Sequence, residues 1–315
     1  MKRSLLIGSV FLLLLASGQV SRAQQSPQYS QYLMNYFAIN PAMAGYKDCV
    51  DARVGYRRQW MGFDGGPRTG FANINWAFSN RMKHLRTKHA AGVSIYRDEI
   101  GPTSWTKIQL AYAYHFPVSH KVHMSFGLFG GILQHKFDTG QLRYGFQADP
   151  AITQPNTVLV YPDLSAGWRM VAEKTFLGLS VDHLVGNDIP DYGSSATKLE
   201  RQYYLLAGRN IESDVYNVTY IPSAMIKFAP NAMPALDLSM LWQFEENFTI
   251  GGSYRAGDAF VGMVQFSLFK YLKLGYAFDF THTNMRKASA NTHEIILGIY
   301  SCPSTDNRTA CPAFD

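Results

Sequence analysis

Along most of this chain every second residue is apolar or aromatic, and the residues between are small or polar. From 236 to 244, Leu236, Leu238, Met240, Trp242 and Phe244 share one face, while Asp237, Ser239, Leu241 and Gln243 share the other. From 270 to 280, Leu272, Leu274, Tyr276, Phe278 and Phe280 stand opposite Tyr271, Lys273, Gly275, Ala277 and Asp279. The same split runs through Ile108–Phe116, Val122–Ile132 and Leu164–Ala172. A period of two belongs to a strand whose two faces meet different surroundings, and no stretch keeps a helical period for long. The pattern predicts about fourteen strands. They lie near 50–62, 70–80, 88–98, 103–117, 121–135, 162–173, 175–184, 199–211, 215–229, 235–244, 247–256, 259–269, 271–281 and 291–301.

Many of these runs have roughly the 9–11 residues that a tilted strand needs to cross a bilayer, whereas strands of soluble sandwiches more often have about 5–6. The connections alternate as well. Those at 118–120, 173–174, 212–214, 245–246 and 270 are tight, and those at 63–69, 137–161, 185–198 and 282–290 are long. Short turns on one rim and long loops on the other are the asymmetry of an outer-membrane barrel. The fold expected is therefore all-β, an antiparallel transmembrane β-barrel of about fourteen strands with short periplasmic turns and longer extracellular loops. The basic stretch Arg81–Lys88 is long for a turn on the short side. In hydrocarbon the sheet must close on itself and turn its apolar face outward, which leaves the polar faces for a wet lumen. Arg53, Arg57, Lys107, Arg169, Arg255 and Lys273 are expected to line it together with Asp51, Asp237 and Asp279. Trp60, Trp76, Trp168 and Trp242 are expected in the interfacial girdles.

Lys2 and Arg3, the apolar stretch Leu5–Ala16 and the small-x-small sequence Ser21-Arg22-Ala23 read as an export signal, residues 1–23, cleaved before Gln24. No Cys follows the apolar stretch, which argues against a lipoprotein. Composition agrees with export to a membrane: 17% of residues are charged and 14% aromatic, with 26 Gly, and the mean hydropathy is −0.13. The 29 Lys+Arg against 23 Asp+Glu give +6, but Lys2, Arg3 and Arg22 lie in the export segment, and without them the excess is +3. That removes most of the case for a nucleic-acid surface. The remaining divisions are 24–48 as a periplasmic or lumenal segment, 49–301 as the barrel, and 302–315 as a periplasmic tail. Residues 24–48, rich in Gln, Tyr and Asn, are expected at the periplasmic rim rather than in the lumen as a plug.

Three cysteines occur. Cys49 precedes the first strand and Cys302 ends the last, strands that closure makes neighbours, so a Cys49–Cys302 staple is the candidate in an oxidising compartment. Cys302–Cys311, Cys49–Cys311 and unpaired thiols compete with it.

A search for chemistry finds no catalytic residue, cofactor or metal site. His293-Glu294 lacks a second His at helical spacing, and Gly251-Gly252-Ser253-Tyr254-Arg255 lacks the final Gly of a nucleophile elbow. His115 and His123 lie on polar faces of adjacent strands, where wall residues are more common than catalysts. Gly62-Phe63-Asp64-Gly65-Gly66-Pro67 reads as a turn rather than a phosphate loop.

Three segments near the start resemble the PorP/SprF family of type IX secretion outer-membrane proteins. They are Ser26-Pro27-Gln28-Tyr29-Ser30-Gln31-Tyr32, Asn40-Pro41-Ala42-Met43-Ala44-Gly45, and Tyr56-Arg57-Arg58-Gln59-Trp60-Met61-Gly62-Phe63-Asp64-Gly65-Gly66-Pro67. Gly275–Thr281 and His293–Gly298 resemble it near the end. The motif residues are Asn40, Pro41, Gly45, Arg57, Trp60, Gly62, Phe63, Asp64, Gly65, Pro67, His293 and Glu294. The tail after Ser301 has no counterpart in the resemblance. The resemblance implies a Bacteroidetes source and a multi-pass barrel of the cell outer membrane. It implies a non-enzymatic part of the type IX secretion and gliding motility machinery. Such a protein would link periplasmic ring proteins, a peptidoglycan-binding linker protein or cargo C-terminal domains to outer-membrane lipid. A passive, porin-like channel is the alternative.

Overall fold

The computed structural model describes residues 26–47, 49–79, 87–138, 140, 157–189, 197–213, 217–230, 232–245, 247–268, 271–283, 287, 289 and 291–301. The export signal, Asp48, most of the Arg81–Lys88 stretch, Cys302, Cys311 and the tail lie outside them.

The strands are β1 (Val50–Arg58), β2 (Arg68–Ser79), β3 (Lys88–Ile100), β4 (Thr103–Pro117), β5 (Val122–Phe137), β6 (Thr157–Ala172), β7 (Thr175–Asp182), β8 (Asp188–Ile189) and β9 (Thr197–Lys198). They continue with β10 (Gln202–Arg209), β11 (Ile211–Ser213), β12 (Val218–Phe228), β13 (Ala235–Phe244), β14 (Phe248–Arg255), β15 (Ala259–Leu268), β16 (Leu272–Thr281) and β17 (Thr292–Ser301). Among the described residues one antiparallel sheet closes into a barrel of 14 strands: β1–β7, β10 continued by β11, and β12–β17. β8 and β9 form a separate ribbon in the connection from β7 to β10. The seam joins the first and last strands, from Val50 opposite Ser301 to Arg58 opposite His293. The expected count and order of strands hold, and many boundaries shift by a few residues, furthest at the end of β1 and the start of β6. β1 stops at Arg58 because Trp60 takes a positive φ of 49° and turns the chain. β6 starts at Thr157, since Val158 and Val160 extend its outward alternation.

Period two sorts side chains as lipid and lumen require. Leu110, Leu128, Val160 and Phe260 are outward and more than half exposed, while Lys107, Gln109, Asp163, Ser165, Asp237 and Asp279 are inward and buried. Trp76, Trp168 and Trp242 stand on the outward faces near the rim of tight turns. Among the described residues no helix is long and apolar enough to cross a membrane; the chain crosses with strands.

The lumen is not the wet interior expected. Tyr29–Phe37 and Asn40–Ala44 are buried within it, and the segment makes two single turns of 3-10 helix, Tyr36–Ala38 and Pro41–Met43. Of the two positions considered for this segment, the lumen is the one observed and the rim is not. Part of the inner wall is accordingly apolar. Phe71, Phe129, Phe176, Leu206, Ile221, Met225, Leu241 and Ile296 pack with Tyr29, Tyr32, Tyr36 and Phe37 in one core. Ile221 on the inner face also explains the irregular alternation of β12.

Candidate functional site

The segment runs through the lumen from the rim of tight turns toward the rim of long loops. At the start of this path the Lys88 Nζ donates to the Tyr46 carbonyl at 3.0 Å, and the Arg169 guanidinium lies 4.0 Å from the centre of the Tyr46 ring. His115 Nε2 donates to the Ala44 carbonyl at 2.8 Å, which leaves Nδ1 to accept from the Ser125 hydroxyl at 2.6 Å. The Gly45 amide donates to Asn75 Oδ1 at 2.8 Å. Gly45 has φ +59°, and a Cβ there would overlap Ala90, so both the turn and the packing require glycine.

Asn40 fixes the middle. Its Oδ1 accepts from the Ala42 amide at 2.9 Å and caps the Pro41–Met43 turn, and its Nδ2 donates to the Trp168 and Leu179 carbonyls at 3.0 and 3.2 Å. Those carbonyls belong to β6 and β7, so one side chain both shapes the plug and ties it to the wall. Inward glycines make the room: a Cβ at Gly127 would overlap the Pro41–Ala42 backbone, at Gly167 Asn40, at Gly178 Tyr36, and at Gly275 Gln31. Farther along, Asn73 Nδ2 donates to Asn35 Oδ1 at 2.7 Å, and the Tyr32 hydroxyl meets Ser239 at 2.9 Å and Ser223 at 3.0 Å. Burial pushes the Tyr32 phenol up to about 12, so it stays a neutral donor.

Near the rim of long loops the plug meets charge. The Ser30 and Gln31 amides each donate to a Glu294 carboxylate oxygen at 2.8 Å, and the Ser30 hydroxyl donates to Asp279 at 2.6 Å. Arg57 reaches Asp279 at 3.0 Å and Glu294 at 3.3 Å, and also donates to Ser30. Arg255 continues the network to Asp279 at 3.1 Å and Asp237 at 3.0 Å, with Lys227 3.1 Å from Asp237. A second cluster joins Lys107 to Asp163 at 2.7 Å and to Asp182, and Asp163 to His183 Nδ1 at 2.9 Å. Ser26 lies 3.3 Å from His183 Nε2, where the described plug ends. The ligand atoms of Asp163, Asp182 and His183 all lie within 4.8 Å of one another, a spacing that could hold a cation. The Lys107 ammonium already stands between the two carboxylates and supplies that charge, so the set reads as an ion-pair cluster. Buried ions in such number persist only when paired and hydrogen-bonded, and here Arg57 of β1, Asp279 of β16 and Glu294 of β17 hold the plug directly.

The motif residues separate into three places. Asn40, Pro41, Gly45, Arg57 and Glu294 all lie in the lumen, where Arg57 and Glu294 meet near the rim of long loops and Gly45 sits toward the rim of tight turns. Trp60, Gly62, Phe63, Asp64, Gly65 and Pro67 build the loop after β1, where Gly62 and Gly65 take φ of 87° and 78°. This loop is tied down by Gln59 N to Pro67 O at 2.8 Å, Met61 N to Asn291 O at 2.9 Å and Gly101 N to Gly65 O at 3.0 Å. It leaves Phe63 and Asp64 exposed. His293 points outward, hydrogen-bonded to the Tyr276 hydroxyl at 2.7 Å. His115 pairs with Ser125 across β4 and β5, and His123 falls opposite Pro117. Arg53, Arg169 and Lys273 face inward and are buried, as do Asp51 and Asp237. Cys49 is disulfide-bonded, while its candidate partner Cys302 and the competitor Cys311 lie outside the described residues. Ser30, Lys107, Asp163, Asp182 and His183 form contacts that alternation alone does not announce; the inward glycines of β5, β6, β7 and β16 are the signal that could have exposed the plug.

A protein-family model described as type IX secretion system membrane protein PorP/SprF matches residues 21–299. No curated protein matches the chain. Among solved structures, the toluene transporter TbuX of Ralstonia pickettii is similar at a TM-score of 0.52 and 9% identity, covering 84% of this chain and 93% of that one. The toluene transporter TodX of Pseudomonas putida gives 0.47 at 8% identity, covering 89% and 98%. The likeness to TbuX shows a shared outer-membrane barrel fold.

Proposed function

Because the chain belongs to the PorP/SprF family of type IX secretion system membrane proteins, we propose that it serves that machinery as a non-enzymatic scaffold in the outer membrane. In this reading it links periplasmic ring proteins, a peptidoglycan-binding linker protein or cargo C-terminal domains to the membrane, after removal of residues 1–23. The observation that carries the reading is the filled lumen. A barrel whose interior is packed by its own Ser26–Lys47 segment, with ion pairs on the wall, is suited to hold a surface in place rather than to pass solutes. The same observation removes residues 29–45 from the surface offered to periplasmic partners. What remains for them on that rim is the set of tight turns, the Arg81–Lys88 stretch and the tail after Ser301.

Affinity capture of the full chain from detergent extract, read by mass spectrometry, tests the proposal. Recovery of ring or linker proteins supports it, and recovery of one large surface protein supports the cargo form. Recovery of neither, together with steady single-channel conductance from purified protein, would replace it with the channel reading.

A further inference from the structure

The outward faces of the two halves of the barrel differ at the rim of long loops. On β12–β16 the outward residues toward that rim include Phe228, Leu236, Leu238, Tyr254, Phe260 and Phe280, and the charges Lys227, Asp237, Arg255 and Asp279 all point inward. On β1–β3 the outward positions at the same rim are the exposed Arg58, Arg68 and Arg97, with Glu99 beyond Arg97 on the same row. They continue the outward rows of Val54 and Tyr56 on β1, Ile74 on β2 and Ile95 on β3, which face lipid.

Arg58 and Arg68 are directly opposite in the β1–β2 register, and Arg97 is opposite Gly70, the next outward position of β2. Like charges directly opposite on neighbouring strands repel. Glu99 is opposite Arg68 but is engaged by Arg97, whose Nε donates to it at 2.7 Å. Among the described residues no carboxylate pairs with Arg58 or Arg68. Three guanidiniums and one carboxylate therefore stand at the upper edge of the lipid-facing band with net positive charge, and the forks of Arg58 and Arg68 have no carboxylate among the described residues.

We propose that Arg58, Arg68 and Arg97 form a binding site for the phosphate of a phosphorylated glycolipid in the outer leaflet. Its acyl chains would lie along Val54, Tyr56, Ile74 and Ile95. Guanidinium forks match phosphate oxygens two at a time, and a phosphate between Arg58 and Arg68 turns their repulsion into a shared bridge. The outward direction of the side chains favours a lipid over an acidic polypeptide, because the residues below them are covered by hydrocarbon.

The test uses the full purified chain in detergent with native mass spectrometry, offered lipid A carrying its phosphates or the same lipid after their removal. The wild type should retain the phosphorylated form, and Arg58→Gln with Arg68→Gln should retain roughly 30-fold less, at about a tenfold loss per 1.4 kcal/mol and about 1 kcal/mol per arginine near an anionic surface. The dephosphorylated lipid should bind the wild type no better than the phosphorylated one binds the variant. Heat-modifiable gel mobility reports whether the variant barrel is folded. If the double variant fails to fold, the comparison of the two lipids on the wild type decides alone. Equal retention of both lipids, displacement by millimolar inorganic phosphate, or an acidic polypeptide held at these arginines in place of lipid would each overturn the proposal.

Discussion

Arg57–Asp279 and Lys121–Glu173 are both ion pairs within hydrogen-bond reach, at 3.0 and 2.5 Å, yet they stand in opposite surroundings. The first is buried in the lumen with 1% of each side chain exposed, and the second joins two tight turns with 72% and 57% exposed. Water screens the second pair and can replace either partner, whereas the first has no solvent to fall back on. The same chemistry is thus a fastener inside the barrel and an ornament at its base.

The comparison can be broken first at its strong end. Arg57→Ala leaves Asp279 and Glu294 buried without their guanidinium and should cost about 3–5 kcal/mol. The loss should appear as a lower unfolding temperature in detergent and as new chymotrypsin cleavage at Tyr29, Tyr32, Tyr36 or Phe37. An unchanged protease pattern would mean that the plug is held elsewhere. Next comes packing without charge. Gly127→Val sets a side chain against the Pro41–Ala42 backbone, which cannot yield as a flexible side chain would, and should cost about 1–3 kcal/mol. It should loosen the plug while the wall ladder persists, which amide exchange resolved by segment would show.

The seam offers a smaller effect. We propose that Cys49 pairs with Cys302, next to the Val50–Ser301 rung. Non-reducing peptide mapping should recover that linkage, and Cys49→Ser should fall toward the low end of the usual 2–4 kcal/mol because the β1–β17 ladder already closes the ring. At the weak end, each partner of Lys121–Glu173 favours the other's charge, so the carboxyl lies below its ordinary value and the ammonium above. A lowered carboxylate pKa stabilises above the unfolded value and is lost as pH falls through the folded one. Even so, Glu173→Gln should leave the unfolding temperature unchanged at pH 7 and down through that acidic window. A marked shift there would erase the distinction between the two pairs.

The wall was legible because its signal is local. Leu236–Phe244 and Leu272–Phe280 alternate so regularly that strand, face and neighbour follow from counting, and the loop lengths then orient the barrel. The plug was not legible for the opposite reason. Its contacts join residues more than a hundred positions apart, as Asn40 to Trp168 and Ser30 to Asp279 do, and polar residues such as Asn35 and Gln31 read equally well as a solvated rim. Charged positions like Arg57 and Asp279 were correctly turned inward, but alternation cannot tell a water-filled interior from a packed one. Gly127, Gly167, Gly178 and Gly275 carried that information, since a wall facing water has no need to shed four side chains at inward positions.

The passage from Tyr46 to Ser26 bears on biogenesis. Tyr32, Tyr36 and Phe37 pack in one core with residues from strands of both halves of the wall, among them Phe129, Phe176, Ile221 and Ile296. A ring that closed before this segment was seated would leave that apolar inner wall bare to water, so closure and seating complete the same core.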